Sequence, residues 1–160
     1  MQRVAAVLIG IIDDNIVLTK RSANLRSFTG HVCLPGGGFE PEYDCIASDA
    51  ATREFNEELI FAGEVEQICC MLPEYSIVSS QVVYPVVARL DGTISAFNLD
   101  EVDKLIYLPI TKLKQGLFSM NPQYPNIKHN KCFEHEGEFV WGLTAHILYK
   151  FMDILIEIEK

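Results

Sequence analysis

The sequence predicts a single α/β (α+β) domain over residues 1–160, in which a mixed β-sheet lies between layers of helices. Two observations support this: apolar, β-prone segments recur along the chain, and two segments with helical spacing are interleaved with them. The length of 160 residues and the hydrophobic fraction of 49% are enough for one substantial core. No internal repeat, linker or low-complexity segment divides the chain.

The chain opens with a predicted β-hairpin. Residues 4–12 and 16–20 are apolar and β-prone, and Asp13-Asp14-Asn15 lies between them as a turn. Residues 4–12 lack the basic flank and cleavage site of a signal peptide, so we interpret them as a strand.

Further strands are predicted in the middle of the chain. Three apolar segments rich in β-formers are residues 65–72, 82–90 and 105–108. Asp91-Gly92 is interpreted as a turn between strands. Residues 111–115 predict a short helix that ends near Gly116, and residues 121–130 predict a proline-containing loop that could form one wall of a pocket.

A C-terminal amphipathic helix is predicted from Gly142 onward. Its apolar residues recur at helical spacing: Leu143, Ile147, Phe151, Ile154, Leu155 and Ile158. Packing of this stripe in the core is the simpler interpretation, and a homodimer contact is the alternative.

The first helix, predicted over residues 46–59, carries three carboxylates on one side. Glu54, Glu57 and Glu58 stand at i, i+3 and i+4, within roughly 100° of arc on an ideal helix. Such a face alone is more often solvated surface. Their like charges repel, however, and a divalent cation offsets that repulsion. Mg²⁺ and Mn²⁺ take oxygen ligands and bridge carboxylates to phosphates, so the pattern predicts a metal site for a phosphate ester or anhydride.

Neighbouring residues strengthen this prediction. Gly36, Gly37 and Gly38 could let the backbone approach a ligand closely. Asp44 could add a fourth carboxylate near the start of the helix. Arg53 precedes Glu57 by four residues and could orient its carboxylate through a charge-assisted hydrogen bond.

With these spacings, residues 38–60 resemble the Nudix box, Gly-x5-Glu-x7-Arg-Glu-U-x-Glu-Glu-x-Gly-U, where U is a bulky aliphatic residue. The resemblance implies the Nudix fold, an α/β/α sandwich. Two departures stand out: Asp44 replaces the first Glu with one extra residue before Arg53, and Ile60 replaces the last Gly. Because Ile60 is unfavourable in a left-handed helix end, we expect the helix to continue toward Gly63.

Residues 17–37 resemble the signature that precedes the box in coenzyme A pyrophosphatases of this family. Thr19, Arg21-Ser22, Leu25-Arg26 and Pro35-Gly36-Gly37 match it, whereas Phe28 replaces the usual His and Leu34 the usual Phe. The resemblance implies substrate contacts from one set of residues: Lys20, Arg21, Leu25, Arg26, Gly36, Gly37 and Gly38. The three basic side chains would contact phosphates.

The resemblance implies hydrolysis of coenzyme A or a derivative to 3′,5′-ADP and 4′-phosphopantetheine. Mg²⁺ or Mn²⁺ would be held by Glu54, Glu57 and Glu58, with Asp44 directly or through water. Glu57 is the candidate for the carboxylate nearest the attacking water, and Arg53 would orient the carboxylates.

Two alternatives remain open. The substrate could be ADP-ribose, a dinucleoside polyphosphate or a nucleoside triphosphate, since Phe28 and Ile60 depart from the pattern. A non-catalytic nucleotide-binding module is less favoured because all three box glutamates are present.

Composition restricts the partners and the compartment. A net charge of −9 argues against a nucleic-acid surface. No apolar run reaches the roughly 20 residues that a membrane span needs. Five cysteines without Cys-x-x-Cys spacing predict reduced thiols and a cytoplasmic protein.

Several other residues give weak signals. The four histidines show no metal-ligand spacing, and His146 is interpreted as structural. Trp141 and Phe139 could stack on adenine or belong to the core. Glu134, Glu136 and Glu138 alternate as on a strand face, and solvated charge is their default interpretation. Because some enzymes of the family that this chain resembles use a carboxylate from beyond the box, one of the three is a candidate for the site.

Overall fold

The central layer is an eight-stranded mixed sheet, and the computed structural model describes residues 3–25, 29–76, 80–124 and 129–159. The sheet and its first helix comprise β1 (Arg3–Ile12), β2 (Asn15–Arg21), β3 (Val32–Cys33), β4 (Gly36–Gly38), α1 (Ala47–Glu58), β5 (Leu59–Cys70), β6 (Glu74–Ser76), β7 (Gln81–Phe97) and β8 (Val102–Pro109). There follow α2 (Ile110–Lys114), a three-stranded sheet of β9 (Ser119–Met120), β10 (Lys131–His135) and β11 (Glu138–Trp141), and α3 (Gly142–Ile158).

Strand β1 lies at the centre of the larger sheet. β7 runs parallel to it along its length, from Arg3 opposite Gln81 to Ile11 opposite Arg89. On its other side, β1 pairs antiparallel with β4 near its start and with β2 near its end. The sheet is therefore mixed, as predicted, and the glycine strand β4 is fixed against its central strand.

Successive residues of β1 bury their side chains on opposite faces of the sheet. Leu8 packs in one core cluster with Phe55 of α1, whereas Ile9 packs in another with Phe151 of α3. A strand covered on both faces needs a nearly continuous apolar run, which is the pattern that β1 has. Helices cover both faces, so the predicted α/β/α sandwich is confirmed.

The C-terminal helix begins at Gly142, as predicted. Ile147, Phe151 and Leu155 are buried in the core cluster on that face of the sheet, so the apolar stripe packs internally. A homodimer stays a prediction. Among the described residues, no helix is both long enough and apolar enough to cross a membrane.

The shorter elements follow the sequence closely. Asp13 and Asp14 have φ of 48° and 62° between paired Ile12 and Asn15, which matches a type I′ hairpin turn. The predicted short helix is α2, and the three predicted middle strands correspond to parts of β5, β7 and β8.

The exit of α1 differs from the expectation that the helix continues toward Gly63. The helix ends at Glu58, and Leu59 is already extended with φ −126° and ψ 142°. Ile60 continues this strand and pairs with Ala96. Because β-branched Ile60 sits in extended backbone, no left-handed residue is needed, and the glycine of the usual box is dispensable here.

Asp91-Gly92 is not a turn, and that prediction is wrong. Both residues lie inside β7, where Gly92 pairs with Gly63 of β5. The two glycines have φ of +156° and +155°, and a Cβ on either would overlap a backbone oxygen of the other strand. Gly92 therefore serves a close approach of two strands rather than a change of direction.

Candidate active site

Helix α1 presents its acidic side because its other side is anchored in the core. Ala50 and Phe55 are fully buried, and Phe55 meets Phe61 edge-on with ring centroids 5.6 Å apart. In the first turn, the Asp49 carboxylate accepts a hydrogen bond from the backbone N–H of Ile46 at 3.1 Å. An acidic group there also interacts favourably with the helix dipole. The hydrogen bond and this electrostatic interaction both stabilise the start of the helix at this point.

Strand β4 lies between strand β1 and the carboxylate of Glu54, which explains two of its three glycines. A Cβ on Gly37 would lie 2.6 and 2.7 Å from the two carboxylate oxygens of Glu54. A Cβ on Gly36 would lie 2.7 Å from Cα of Val7 in β1. Gly38 has open space at its Cβ position. Gly36 and Gly37 thus let β4 fit between β1 and the acidic helix.

Arg53 links four groups around the start of the helix. Its Nε and Nη2 donate to the two carboxylate oxygens of Asp44 at 3.1 and 2.9 Å, and Nη2 also donates to the carbonyl of Gly38 at 2.9 Å. Its Nη1 donates to Oε1 of Glu54 at 3.1 Å and to Oε1 of Glu57 at 3.2 Å. The guanidinium therefore connects the buried Asp44 to two of the predicted metal ligands.

Hydrogen bonding between Arg53 and Asp44 stabilises the charged forms of both groups. It holds the pKa of Asp44 below its usual range and raises the pKa of Arg53. Both oxygens of Asp44 face the guanidinium, and one also accepts from the N–H of Glu40 at 2.9 Å. In this arrangement Asp44 anchors Arg53, and its predicted role as a metal ligand stays a prediction.

Glu58 is the most buried of the three box carboxylates, with 7% of its surface exposed. Burial first, and then the charges of Glu54 and Glu101, raise its pKa to about 8, opposed by Arg21 and by a hydrogen bond from the backbone of Gly36. Its Oε2 is buried and has no hydrogen-bond partner among the described residues. This is an environment in which a cation would stabilise the ionised form.

A further carboxylate, that of Glu101, acts on the same cluster. Burial and then the charge of Glu57 raise the pKa of Glu54, and Glu101 contributes to this shift as it does at Glu58. Sequence reasoning missed Glu101 because it lies just before β8, far along the chain from the box, where no spacing connects it to α1.

The three glutamates predicted to alternate near the end of the chain do not share a strand face. Glu134 lies on β10, Glu136 adopts φ 51° in the turn, and Glu138 lies on β11. The turn therefore breaks the expected alternation. Glu138 is engaged elsewhere: its carboxylate lies 3.1 Å from Nζ of Lys20 and 3.5 Å from Nζ of Lys104. The hydrogen bond from Lys20 lowers the pKa of Glu138.

The donor set of the box fits a hard divalent cation. Glu54, Glu57 and Glu58 offer oxygen atoms only, which Mg²⁺ and Mn²⁺ prefer. A positive ion would relieve their mutual repulsion and would give Oε2 of Glu58 the partner that it lacks among the described residues. The site residues thus suit the metals that the sequence predicted.

A cavity of about 350 Å³ adjoins the glycine strand. Its lining includes Arg21, His31, Cys33, Gly37, Trp141 and Thr144. Burial and the nearby charge of Arg21 lower the pKa of His31. Burial raises the pKa of Cys33 to about 11, so its thiol is protonated at neutral pH.

Trp141 forms part of an aromatic group at this cavity. Its ring lies 5.4 Å from the ring of His31 at an angle of 57°, and 5.9 Å from the ring of Tyr124 at 14°. Tyr124 belongs to the predicted loop over residues 121–130, of which residues 125–128 lie outside the described part of the chain. Tyr124 thus supports the indole that borders the cavity.

The predicted substrate-binding side chains upstream of the box have different surroundings. Arg21 lines the cavity, whereas Lys20 is paired with Glu138. Leu25 is half-buried, and its N–H donates to the carbonyl of Ser22 at 3.3 Å. Arg26 lies outside the described residues. Of the two basic residues of this set that the structure describes, Arg21 is therefore the one that lines the cavity.

Comparison with known proteins identifies the class. The family model of the NUDIX domain matches residues 1–130. An uncharacterized Nudix hydrolase, NudL, of Pectobacterium atrosepticum is 34% identical over 160 residues, which cover 93% of this chain and 81% of the relative. The chain belongs to the Nudix hydrolase family, whose members are pyrophosphatases acting on phosphorus-containing anhydrides and generally use divalent metals.

Solved structures share the fold. A NUDIX hydrolase from Nitrosomonas europaea aligns with a TM-score of 0.62 at 18% identity, covering 95% of this chain and 70% of that one. A bifunctional NMN adenylyltransferase/ADP ribose pyrophosphatase from Francisella tularensis, complexed with AMP and a Mn ion, aligns with a TM-score of 0.61 at 15% identity, covering 96% of this chain and 42% of that one. The predicted family and fold are confirmed, and the coenzyme A substrate stays a prediction.

Proposed function

We propose that this chain hydrolyses the diphosphate of coenzyme A or of a coenzyme A derivative to 3′,5′-ADP and 4′-phosphopantetheine. One observation carries the proposal. Residues of the upstream signature that resembles coenzyme A pyrophosphatases, namely Arg21, Val32, Gly36 and Gly37, line the cavity next to the box. Gly37 also lies against the carboxylate of Glu54, so strand β4 borders both the cavity and the acidic cluster.

The box side chains have two proposed roles, which are to bind the metal ions and to accept a proton from the attacking water. Glu54 and Glu58 are partly or fully buried and are proposed as metal ligands, together with the half-exposed Glu57. Mg²⁺ or Mn²⁺ bound there would neutralise the diphosphate and lower the pKa of the attacking water. Glu57, with 51% of its side chain exposed, is accessible to accept a proton from that water.

Arg53 and Asp44 act as positioning residues in this proposal. The bidentate pair with Asp44 fixes the plane of the guanidinium, whose Nη1 then reaches both Glu54 and Glu57. Two carboxylates held in this way need less rearrangement when an ion binds.

The lining of the cavity suits a substrate that has both a charged part and an aromatic part. Arg21 brings a permanent positive charge to the lining, which favours a phosphate group. Trp141, backed by Tyr124, offers a flat surface on which an adenine ring could stack. Apolar residues such as Val7 and Leu143 complete the wall and suit a chain such as pantetheine.

A substrate panel tests the proposal. The protein is incubated with coenzyme A, ADP-ribose or ATP in Mg²⁺ and in Mn²⁺, and products are identified by mass. We expect the highest kcat/KM for coenzyme A, with 3′,5′-ADP and 4′-phosphopantetheine as products. ADP-ribose is the first competitor because the Francisella neighbour is named as an ADP ribose pyrophosphatase.

Each other outcome of the panel has a defined meaning. Faster cleavage of ADP-ribose or ATP would overturn the coenzyme A assignment while leaving the family assignment intact. Nucleotide binding without products in either metal would support a binding module and overturn the enzymatic proposal. The Glu57→Gln variant separates true turnover from a contaminating hydrolase, because only the former depends on the box.

A further inference from the structure

A second group of potential metal ligands lies outside the box. Glu74, His129 and His146, here called the histidine cluster, place their ligating atoms within 4.8 Å of one another. They come from three elements: the first residue of β6, the segment just before β10, and the first turns of α3. The sequence suggested no such site because no spacing relates these residues.

Each member of the cluster is held by the fold. Glu74 pairs with Val83 of β7, which fixes its place at the start of β6. His146 stands between the buried residues Ala145 and Ile147, so the core sets the position of its helical turn. His129 precedes Asn130, whose carbonyl accepts a hydrogen bond from the N–H of Asn121 at 2.6 Å.

The cluster is shielded from solvent. His129 and His146 are each 6% exposed, and 15% of the Glu74 side chain is exposed. The two imidazole rings stack with centroids 4.2 Å apart and an interplanar angle of 27°. A neutral imidazole offers a ring nitrogen with a lone pair, and this nitrogen is the atom that binds a metal ion.

The geometry points to a site for a single divalent ion of the zinc class, and we propose that Glu74, His129 and His146 bind it. Nε2 of His146 lies 3.1 Å from Oε2 of Glu74. Two ligands at about 2.0–2.1 Å from a tetrahedral ion lie about 3.3 Å apart, so this separation needs little adjustment. Imidazole nitrogen favours Zn²⁺ and related transition metals over Mg²⁺.

Such an ion would tie three segments at the wall of the cavity. Ser76, two residues after Glu74, lines the cavity, and so does Ile147, which follows His146. His129 and Tyr124 both belong to the predicted loop over residues 121–130, and the ring of Tyr124 stacks on Trp141. Binding would therefore stabilise the cavity wall, and three protein ligands would leave a fourth coordination position for one water molecule in this shielded cluster.

Cobalt substitution tests the site directly. The full chain is stripped with a chelator, returned to buffer with excess Mg²⁺ to occupy oxygen-rich sites, and titrated with Co²⁺. Four-coordinate cobalt with nitrogen ligands absorbs visible light much more strongly than cobalt surrounded by six oxygens. We expect an intense absorption band that saturates at one equivalent of Co²⁺ and disappears when one equivalent of Zn²⁺ is added. In a separate measurement of thermal unfolding, Zn²⁺ should raise the Tm of the protein.

Variants assign the band to the cluster. His146→Gln and Glu74→Gln should each weaken cobalt affinity at least tenfold, with folding checked by circular dichroism. Glu57→Gln, which alters the box, and His135→Gln, which alters a buried histidine bonded to Lys112 and the carbonyl of Tyr107, should retain it. Absence of the band in the wild-type protein overturns the proposal without any variant. So does a band that survives His146→Gln and Glu74→Gln or is lost in Glu57→Gln.

Discussion

The two carboxylate-containing clusters of this protein are assembled in opposite ways. Glu54, Glu57 and Glu58 come from a single helix and contain only oxygen ligands. The histidine cluster draws Glu74, His129 and His146 from three elements and mixes oxygen with nitrogen. A helix fixes the first arrangement through its own periodicity, whereas the second exists only once the sheet, α3 and the loop before β10 have packed together. The box carboxylates can therefore be predicted from their spacing in the sequence, whereas the histidine cluster cannot.

The largest expected effect separates the two clusters by function. Glu57→Gln keeps the size of the side chain but removes a charge from the box, so hydrolysis should fall at least about a hundredfold in Mg²⁺. Cobalt binding at the histidine cluster should stay unchanged. Steady-state kinetics and the cobalt titration are measured on the same preparation. Glu64→Gln, an exposed residue of β5, is the matched control. Full turnover in Glu57→Gln would refute the role given to the box.

A smaller loss of activity is expected when Arg53 or Asp44 is changed and the three glutamates of the box are kept. Arg53→Lys retains the positive charge but cannot bond Asp44 in bidentate fashion while also reaching Glu54 and Glu57. We expect kcat to fall about 10–100-fold. Asp44→Asn should produce a similar loss, and the double variant should be little worse than either single one, because both break one unit. Strictly additive losses would show that the two residues act separately.

A backbone substitution tests the close packing of β4 against the box. Gly37→Ala places a Cβ 2.6 Å from a carboxylate oxygen of Glu54, so Glu54 must move and activity should fall about tenfold or more. Gly38→Ala is the comparison, since its Cβ meets nothing within 4 Å, and its effect should be clearly smaller. Kinetics with Tm for both variants distinguish lost activity from lost stability. Equal effects would contradict the close approach of Gly37 to Glu54.

The last prediction concerns stability, rather than activity, and its pH dependence in the metal-free protein. The pKa of Glu58 is raised from 4.5 to about 8, so between these values the folded state holds more protons than the unfolded chain. Stability should therefore decrease as pH rises from about 4.5 to about 8, by up to about 1.4 kcal/mol per pH unit from this group. Denaturant unfolding in EDTA measures the slope.

Glu58→Gln should flatten that slope, and Mg²⁺ should recover stability at pH 8 because it binds the ionised carboxylates. The same slope in Glu58→Gln and wild type would place the titrating group elsewhere.

Zn²⁺ at one equivalent should stabilise the wild-type protein in Mg²⁺ as well, if the histidine cluster binds it independently of the box.

Periodic and local features of the fold follow from the sequence. The continuous apolar run of β1 and the helical stripe of α3 predict elements that the structure confirms, because burial patterns repeat with the period of the element. The exit of α1 is not predictable in this way. Ile60 stands where the family pattern ends a helix, but its strand pairing with Ala96 decides its conformation.

Prediction of the site reaches only as far as residues close together in the chain. The spacing of Glu54, Glu57 and Glu58 is enough to predict that they share one side of a helix. Glu101 raises the pKa of two of these carboxylates from a distant strand start, and no local pattern indicates it. The same limit applies to Glu138, whose partners Lys20 and Lys104 lie on strands β2 and β8.

The contact between Gly63 and Gly92 has a consequence for how this chain can vary. A methyl group on either residue would force β5 and β7 apart, and once they are apart a second methyl group meets less resistance. Each position also has a φ near +155°, which an L side chain rarely adopts, so a second replacement keeps its own backbone strain. The two positions should therefore tolerate replacement poorly, whether one or both are changed.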